Sequence, residues 1–597
     1  MATYLTKSDF LAARDCPTKL YYKKQRYPSA TQNSDFMEFL ADGGYMVEKM
    51  ATLLFSGGAE VGGYDDPVGA FTRTRETLAA GDCTLFEATI LHDNLLARND
   101  ILQREGDTLR LIEVKSTSFD SMEDGAKPFR TKKGGFVSEW RPYLEDVAFQ
   151  TQVLRLAFPD MVVVPHLCIV DKARRATGAS TFPNFTLARH DDYRPEVAYA
   201  GDVEALREGH VLAILDVTDE VDELLLEIEP EIRRFAKSVS NTPFKRIKPE
   251  IGQRCAKCEY RGAANDGEPD GFRECWGNLA EPIPHVLDLW RVGNLGGKDD
   301  VVAEMVAQGK SSLVDIPDTR LKGAYGVRQG VQLKYTRLGE EYINPELRKL
   351  LDGYDYPLHF IDFEACQTAL PYHEGMRPYE RIAFQWSCHT VREPGGSLEH
   401  AEWLNTGDRF PNFEFARSLN AQIGDKGTAF MWHHFERTVL RDILQQMDDR
   451  EEEDPELHSW LEWISADGRL VDMLVLAKDH YFHPLMGGSL SIKDVLPAVW
   501  NASPSLAQDS DFAAYVKRDN RGNLLSPYSA LPSASIGDQN IVVDEGIGAI
   551  LAYQEMIYGA GRDAPEVSAS YANLLRQYCK LDTAAMVMIW KHWRNQS

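Results

Sequence analysis

The spacing of apolar and polar residues predicts two stretches of the chain in which strands precede helices. Residues 1–55 have helical spacing, and Ser8 and Asp9 are suited to cap a helix that starts at Phe10. Between residues 83 and 118 the pattern alternates as in strands, with a turn at 105–107 that predicts a hairpin. A helix is predicted around residues 143–158, and an apolar strand over 161–170. Strands followed by helices indicate an α/β domain.

A second α/β pattern begins at residue 359. Strands are predicted over 359–363, 381–391 and 428–432, and helices over 436–446 and from 567 to about 593. Residues 507–535, with several Ser, Pro, Asp and Asn residues, are typical of an inserted loop. A chain of 597 residues is long enough for two to four domains. We therefore expect an α/β protein with domains at 1–280 and 355–597, joined by a mostly helical connector at 281–354.

Composition and charge restrict the class of protein. Hydrophobic residues make up 43% and charged residues 26%, as in globular proteins, and no apolar run approaches the ~18 residues of a membrane helix. The N-terminus lacks the apolar core of a secretory signal, so we expect a cytoplasmic protein without membrane contact. A net charge of −26 argues against nonspecific coating of nucleic acid. Local basic clusters remain candidates for phosphate contacts, with solvated surface charges as the alternative for each: Lys127, Arg130, Lys132 and Lys133, and then Arg233, Arg234, Lys237, Lys245, Arg246 and Lys248.

Asp100, Glu113 and Lys115 form the first candidate centre. Glu113 and Lys115 are two apart on a predicted strand and face the same side, and Asp100 is expected at the end of the neighbouring hairpin arm. Two carboxylates suit a hard divalent ion such as Mg²⁺ or Mn²⁺, and a lysine beside them is placed to orient an attacking water. A surface hairpin with a salt bridge has the same spacing, so the pattern alone leaves both interpretations open.

The surrounding motifs resemble RecB-like nucleases of the PD-(D/E)xK superfamily, over roughly residues 1–280. In that family a helix with a Gly-x3-(His or Glu) motif precedes the Asp and the Glu-x-Lys, and a helix with a glutamine follows. The matching residues here are Glu48 after Gly44, then Asp100, Glu113-Val114-Lys115 and Gln150. The resemblance implies Glu48, Asp100 and Glu113 as metal ligands, and Lys115 and Gln150 as catalytic residues.

Four of the nine cysteines form a further pattern. Cys16 lies near the N-terminus, and Cys255, Cys258 and Cys275 follow the predicted nuclease core. This arrangement resembles the iron–sulfur staple of RecB-like nucleases, which implies a [4Fe–4S] cluster. A four-cysteine zinc site has the same ligand count and remains the alternative. The other cysteines, Cys579 among them, are expected to be small buried hydrophobic residues.

The second candidate centre lies in the C-terminal part of the chain. Asp362 and Glu364 are two apart on an apolar strand, and Tyr578 and Asp582 are four apart on a predicted helix. Between them, Glu436 opens a helix that follows a strand.

These motifs resemble the tyrosine branch of the DEDD 3′→5′ exonucleases, over about residues 355–597, which implies an RNase H-like fold. The fourth acid departs from the family pattern, and either Glu436 or Asp472 is a candidate. The resemblance implies metal ions held by Asp362, Glu364, that fourth acid and Asp582, with Tyr578 orienting the water. The segments at 384–387 and 488–497 also resemble a bacterial family of uncharacterised RecB-like proteins.

The leading hypothesis is a metal-dependent nuclease that acts on single-stranded or end-bearing DNA, in repair or in defence. An RNA exonuclease and a nucleic-acid-binding scaffold with one or both centres inactive are the alternatives. A Gly-x4-Gly-Lys-(Ser/Thr) phosphate loop is absent from the sequence, so strand separation would need a helicase or another DNA-processing partner.

Overall fold

The structure, a computed structural model, describes residues 3–31, 34–123, 125, 128–189, 195–537 and 539–595. The chain forms two compact units. The first comprises Met1–Glu250, Gly262–Gly271 and Gln367–Glu380, and the second comprises Ile251–Arg261, Phe272–Cys366 and Arg381–Ser597. The chain therefore returns to the first unit within the C-terminal half of the sequence.

The first unit is a mixed α/β unit. Its strands are β1 (Leu5–Thr6), β2 (Ala59–Glu60), β3 (Cys83–His92), β4 (Leu95–Glu105), β5 (Thr108–Phe119), β6 (Val162–Asp171), β7 (Phe185–Ala188), β8 (Glu196–Tyr199) and β9 (Leu212–Asp216). Its helices are α1 (Lys7–Asp15), α2 (Lys19–Lys24), α3 (Asp35–Leu53), α4 (Pro67–Ala80), α5 (Arg141–Ala157), α6 (Val203–Gly209) and α7 (Thr218–Val239).

The main sheet of this unit has the strand order β2-β3-β4-β5-β6-β9, with β1 pairing β4 in parallel. The predicted hairpin is confirmed, because β4 ends at Glu105 and pairs antiparallel with β5 from Thr108. The predicted position of Asp100 at the end of a strand is wrong, since Asp100 lies within β4. One core packs helices α1, α5 and α7 against this sheet.

Helix α1 begins earlier than predicted. Its N-cap is Thr6, whose side chain accepts a hydrogen bond from the Asp9 backbone, while the Asp9 carboxylate accepts from the Thr6 backbone. The predicted caps, Ser8 and Asp9, therefore lie inside the helix, and Asp9 completes a capping box. This cap also fixes the start of α1, whose first residue is Lys7.

The second unit contains most of the remaining elements. From residue 271 onward the helices are α8 (Gly271–Trp276), α9 (Val301–Ala307), α10 (Gly323–Leu338), α11 (Pro345–Asp352), α12 (Asn412–Ile423), α13 (Phe435–Arg450), α14 (Pro455–Ser465), α15 (Met473–His480), α16 (Ile492–Ala502), α17 (Gly546–Ile557) and α18 (Pro565–Asn595). The strands are β10 (Tyr342–Ile343), β11 (Leu358–Cys366), β12 (Ile382–Val391), β13 (Leu398–Leu404), β14 (Thr428–Met431), β15 (Leu470–Asp472), β16 (Tyr481–Phe482), β17 (Ser533–Ile536) and β18 (Gln539–Val542).

The central sheet of the second unit has the order β13-β12-β11-β14-β15. Strands β11, β12 and β13 pair antiparallel, whereas β14 and β15 continue the sheet in parallel from β11. One core lies on the side of helices α16 and α18, and another packs helices α12, α13 and α14 against the sheet. The central strand β11 carries Asp362 and Glu364, so the sheet fixes both carboxylates.

Among the described residues, none of the helices combines the length and the apolar composition that a bilayer-spanning segment needs.

Candidate metal centres

The first centre lies on strands β4 and β5 and on helix α5. Glu113 and Lys115 project from the same face of β5, as predicted, and the Asp100 carboxylate accepts a hydrogen bond from the Val114 backbone amide at 2.7 Å. Glu113 is fully buried and Asp100 is buried. The backbone contact holds Asp100 in register with the Glu-x-Lys strand.

Hydrogen bonds join Glu113 to a lysine and a glutamine. The Lys115 ammonium contacts Glu113 and lies 2.7 Å from the Asp146 carboxylate. The Gln150 amide nitrogen donates to Glu113 Oε2 at 2.6 Å and to Asp146 Oδ1 at 3.0 Å. The Gln150 amide oxygen accepts from Asn99 at 2.8 Å. The structure thus brings together the predicted residues Glu113, Lys115 and Gln150 and adds Asp146, one helical turn before Gln150.

The charges at this centre shift the pKa of each acid in a different direction. Burial would raise the pKa of Glu113, but the ammonium groups of Lys115 and Lys7 outweigh it and hold that pKa well below its usual value. Burial and the neighbouring Glu113 raise the pKa of Asp100 to about 7. The Glu113 carboxylate is therefore stabilised as an anion, whereas the Asp100 carboxylate has too little positive charge beside it.

Two further residues of the first centre were not predicted from the sequence. Lys7 Nζ lies 2.6 Å from Glu113 Oε1 and 3.9 Å from Asp100 Oδ1. Glu87 lies on β3 opposite Asp100, where the pairing of β3 with β4 is interrupted and Glu87 has a φ of +53°.

Glu48, Glu87 and Asp100 each offer a ligand oxygen, and these oxygens lie within 4.8 Å of one another. The predicted ligand Glu48 is thus brought to Asp100 from helix α3. No spacing rule in the sequence identifies Lys7 or Glu87, because the long-range pairing of β1 with β4 places Lys7 and an interruption in the β3–β4 hairpin places Glu87.

The second centre combines strand β11 with helix α18. Asp362 and Glu364 lie on β11, and Tyr578 and Asp582 lie one turn apart on α18. Tyr578 is 4% exposed and stabilises the charged form of Asp582 through a hydrogen bond. Cys579 also belongs here, because its Sγ lies 3.2 Å from Asp362 Oδ2. Cys579 is buried as predicted, but it faces carboxylates as well as apolar side chains.

The two candidates for the fourth acid have different surroundings. Glu436 opens helix α13, is 2% exposed, and its Oε2 has no hydrogen-bond partner within the described residues. Asp472 is the N-cap of helix α15, and its carboxylate accepts hydrogen bonds from the backbone amides of Leu474 and His433. Glu436 Oε2 therefore lacks a hydrogen-bond partner within the described residues, whereas Oδ1 of Asp472 caps a helix, and the identity of the fourth acid stays a prediction.

Negative charge accumulates at the second centre. Desolvation and the nearby Asp582 raise the pKa of Asp362 well above its usual value, and desolvation with Asp362 does the same for Glu364 and Glu436. Desolvation raises the pKa of Asp582 to about 6. Lys493, on helix α16, partly offsets this charge, lowering the pKa of Asp362, Glu364 and Asp582.

The predicted inserted loop also contributes to this centre. Tyr528 lies in this segment, and its hydroxyl donates a hydrogen bond to Asp582 Oδ1. Lys493 Nζ lies 5.1 Å from the Tyr578 ring centre and 5.5 Å from the Tyr528 ring centre. Composition identified the segment as a loop and gave no indication that a tyrosine within it reaches the acids.

The four cysteines of the predicted cluster lie in short elements or at their ends. Cys16 is the C-cap of α1, Cys255 lies in a 3₁₀ helix at Gln253–Lys257 that Cys258 caps, and Cys275 lies in α8. Cys255 and Cys275 border the same small core in the second unit. The cluster itself stays a prediction.

The basic clusters differ in how their charges are neutralised. Lys127 lies outside the described residues, and Arg130 pairs with Glu220 at 2.9 Å and with Glu223 at 2.7 Å. In the second cluster, Arg234, Lys237, Lys245 and Lys248 are exposed around the end of α7. The Lys245 backbone amide donates to the Ser238 carbonyl, which keeps Lys245 beside that end of the helix.

Comparison with known proteins gives a partial match. A family described as a domain of unknown function (DUF2779) matches residues 359–491, which include Asp362, Glu364, Glu436 and Asp472. No curated protein matches the chain significantly. No solved structure matches it significantly either.

Proposed function

We propose that the protein is a metal-dependent nuclease that hydrolyses phosphodiester bonds in DNA and has two hydrolytic centres. The observation that carries the proposal is the contact of Lys115 with Glu113 and Asp146, next to the buried carboxylate of Asp100. A salt bridge on the surface of a hairpin would be exposed to solvent. Here the acids Glu113 and Asp146 are buried, and Gln150 donates hydrogen bonds to both. The mixed sheets of the two units support a PD-(D/E)xK-like first domain and an RNase H-like second domain.

The carboxylates at both centres fit hard divalent ions. Glu48, Glu87 and Asp100 offer converging oxygens in the first unit, and Asp362 and Glu364 do so in the second. The raised pKa of Asp100 and the absence of a hydrogen-bond partner for Glu436 Oε2 within the described residues both indicate carboxylates short of positive charge. Bound Mg²⁺ or Mn²⁺ would supply electrophilic stabilisation of the phosphoryl oxygens.

The residues of the first centre have separate roles in this proposal. Burial would lower the pKa of Lys115, but Glu113 and Asp146 outweigh it and raise that pKa above its usual value. Lys115 is therefore protonated at neutral pH and acts as a hydrogen-bond donor rather than as a base. We assign it to orienting the attacking water and offsetting charge on the phosphoryl group. Gln150 positions Glu113 and Asp146 from helix α5.

At the second centre, the carboxylates of Asp362, Glu364, Glu436 and Asp582 would hold the ions. Tyr578 holds Asp582 through its hydroxyl and is assigned to orienting the water. Burial, and then the neighbouring Asp582 and Glu364, raise the pKa of Tyr578, so it stays protonated and donates. We propose 3′→5′ removal of nucleotides at this centre.

We also propose that Cys16, Cys255, Cys258 and Cys275 bind a [4Fe–4S] cluster, with zinc as the alternative. Four thiol groups provide the donor set that either metal needs. Iron, acid-labile sulfide and zinc measured on anaerobically purified protein distinguish the two. A Cys258→Ser variant that keeps the full metal content would contradict both assignments.

The test of the nuclease proposal is degradation of single-stranded DNA labelled separately at its two ends, with Mg²⁺ or Mn²⁺. Wild-type protein is compared with Lys115→Ala and with Asp362→Asn. Lys172→Ala and Asp563→Asn are matched controls, because both change the same residue types at exposed positions of the same units. Each active-centre variant is expected to lose one cleavage pattern and to retain the other.

Other results of this experiment would change the assignment. If Asp362→Asn cleaved as wild type does while Lys115→Ala was inert, the second centre would be a non-catalytic module on DNA. Metal-dependent cleavage of labelled RNA but not of DNA would establish the RNA alternative. Absence of cleavage of both substrates by the wild type would favour a nucleic-acid-binding scaffold.

A further inference from the structure

Cys579 lies at the second centre but has no part in the proposed hydrolysis. It follows Tyr578 on helix α18, is fully buried, and its Sγ lies 3.2 Å from Asp362 Oδ2 and 3.6 Å from the Asp362 carbonyl oxygen. A buried cysteine ordinarily packs as a small hydrophobic residue. The contact of this thiol with the first acid of the centre indicates a chemical role.

The geometry allows one ion to contact three residues. The Cys579 sulfur and carboxylate oxygens of Asp362 and Glu364 lie within 4.8 Å of one another. A set of oxygen ligands alone suits Mg²⁺, whereas a thiolate among them favours borderline and softer ions such as Zn²⁺ and Co²⁺. The sulfur therefore changes which metal the same carboxylates would select.

Glu436 gives an independent indication that a cation belongs at this position. Its carboxylate is 2% exposed, and Oε2 has no hydrogen-bond partner within the described residues. Burial and then the Asp362 carboxylate raise the pKa of Glu436 well above its usual value. Leaving a buried carboxylate oxygen unpaired costs free energy that a bound cation would remove.

We propose that Cys579 is a thiolate ligand at the second centre, which then binds a thiophilic divalent ion of the Zn²⁺ and Co²⁺ class in preference to Mg²⁺. The thiol proton leaves to solvent as the sulfur–metal bond forms, and no electron transfer is involved. The inference rests on the proposed function only in placing an ion at these acids, and it does not require that the centre cleaves DNA.

The test is titration of the full-length protein with Co²⁺, followed by absorption spectroscopy. A cysteine thiolate bound to Co²⁺ gives a charge-transfer band in the near ultraviolet, which oxygen ligands do not give. Wild type is compared with Cys579→Ser and with Cys388→Ser, a second buried cysteine of the same unit. Differences between spectra cancel the contribution of the other cysteines, and thermal melting establishes that each variant is folded.

Cys579→Ser is expected to lose one Co²⁺ equivalent of this band and to bind Zn²⁺ roughly tenfold more weakly or worse, with little change for Mg²⁺. Cys388→Ser is expected to match wild type. Asp362→Asn is expected to lose the same band although all its cysteines are intact. Loss in this variant cannot be caused by disturbed packing around a serine at position 579.

An unchanged band and an unchanged Zn²⁺ affinity in Cys579→Ser would overturn the inference, even if DNA cleavage was observed. A band that depends on both Cys579 and Asp362, without DNA cleavage, would support the inference and count against the proposed function.

Discussion

Gln150 is the residue at which the hydrogen bonds of the first centre converge. Its side chain is fully buried, and its amide contacts Asn99, Glu113 and Asp146 at 2.6–3.0 Å. The amide donates to two carboxylates, Glu113 on strand β5 and Asp146 on helix α5, which Lys115 also contacts. Gln152, two residues later, is half-buried and lies 3.5 Å from Glu229.

We predict that Gln150→Ala lowers the free energy of unfolding by about 1–3 kcal/mol, because buried polar groups lose their partner. Cleavage at the first centre is expected to fall roughly tenfold to a hundredfold, as for residues that orient metal ligands. Gln152→Ala is the matched control and should change stability by no more than about 0.5 kcal/mol. Urea unfolding and end-labelled cleavage provide the two measurements, and equal effects of the two substitutions would contradict the role of Gln150.

Local periodicity made part of each centre predictable at this scale. Two-residue spacing on a strand placed Glu113 with Lys115, and four-residue spacing on a helix placed Tyr578 with Asp582. Lys7 was not predictable in this way, because the parallel pairing of β1 with β4 brings it to Glu113. The choice between Glu436 and Asp472 also depended on knowing which carboxylate caps a helix.

At the scale of the elements, strand β3 is irregular at the first centre. Its ladder with β4 continues in the same register on both sides of Glu87, but Glu87 has the positive φ that favours glycine. A non-glycine residue in this conformation is strained by roughly 1–2 kcal/mol. Strain of this kind is typical of functional sites, and here the strained residue is the one opposite Asp100.

We predict that Glu87→Gly is more stable than Glu87→Ala by about 0.5–1 kcal/mol, because glycine tolerates the left-handed conformation. The same pair of substitutions at Thr89, two residues along β3, should have the opposite order, as in regular strands. Thermal unfolding measures both pairs. Both substitutions at Glu87 should weaken Mn²⁺ binding at the first centre equally, since each removes the same carboxylate. A more stable Glu87→Ala would contradict the strained conformation.

The antiparallel part of the second sheet contains a buried polar network. On β12, His389 Nδ1 lies 2.7 Å from the Thr583 hydroxyl of helix α18, and the Ser387 hydroxyl lies 2.9 Å from both Thr583 and His400. Desolvation and the nearby His400 lower the pKa of His389 to about 3. The folded protein therefore keeps His389 neutral at a pH where an unfolded chain would protonate it.

This shift predicts how the second unit responds to acid. The stability from neutral His389 is fully present above its unfolded pKa of about 6.5 and is lost as pH falls towards 3, at about 1.4 kcal/mol per pH unit. Urea unfolding followed by tryptophan fluorescence reports this unit, because every tryptophan except Trp140 lies in it.

Between pH 6 and 4, the unfolding free energy of His389→Gln should fall less steeply with pH than that of wild type. The difference in slope should be about 1.4 kcal/mol per pH unit, which corresponds to one proton. His458→Gln is the control, and an equal slope in wild type and His389→Gln would contradict the prediction.

Most elements could be predicted from the sequence, while their long-range connections could not. The predicted C-terminal helix is α18, and the three predicted strands after residue 358 are β11, β12 and β14. The return of Gln367–Glu380 to the first unit had no local signal. Ala369 and Leu370 pack there with residues such as Cys168, and the Tyr379 hydroxyl donates to the Ser116 carbonyl. An alanine and a leucine in a loop do not indicate which of several cores they join.

At the scale of the whole molecule, a net charge of −26 opposes the approach of DNA. Binding must then depend on local positive charge. The exposed residues around the end of α7, namely Arg234, Lys237, Lys245 and Lys248, are one candidate surface. In the other cluster Arg130 is paired with two glutamates, while Lys132 and Lys133 are exposed. Arg233 of the cluster at α7 pairs with Glu229 at 2.7 Å, so not every cation there is available.

We predict that Lys237→Ala/Lys245→Ala weakens binding of single-stranded DNA in EDTA and reduces the dependence of log Kobs on log salt by about 1.4, or about 0.7 for each lost phosphate contact. Lys310→Ala/Lys322→Ala is the control, because it removes the same two charges from exposed positions of the second unit. If net charge alone governed binding, both double variants would weaken it equally, with the same change in salt dependence. A difference confined to the first pair would instead locate phosphate binding at the end of α7. Fluorescence anisotropy of a labelled oligonucleotide over a salt series distinguishes the two results.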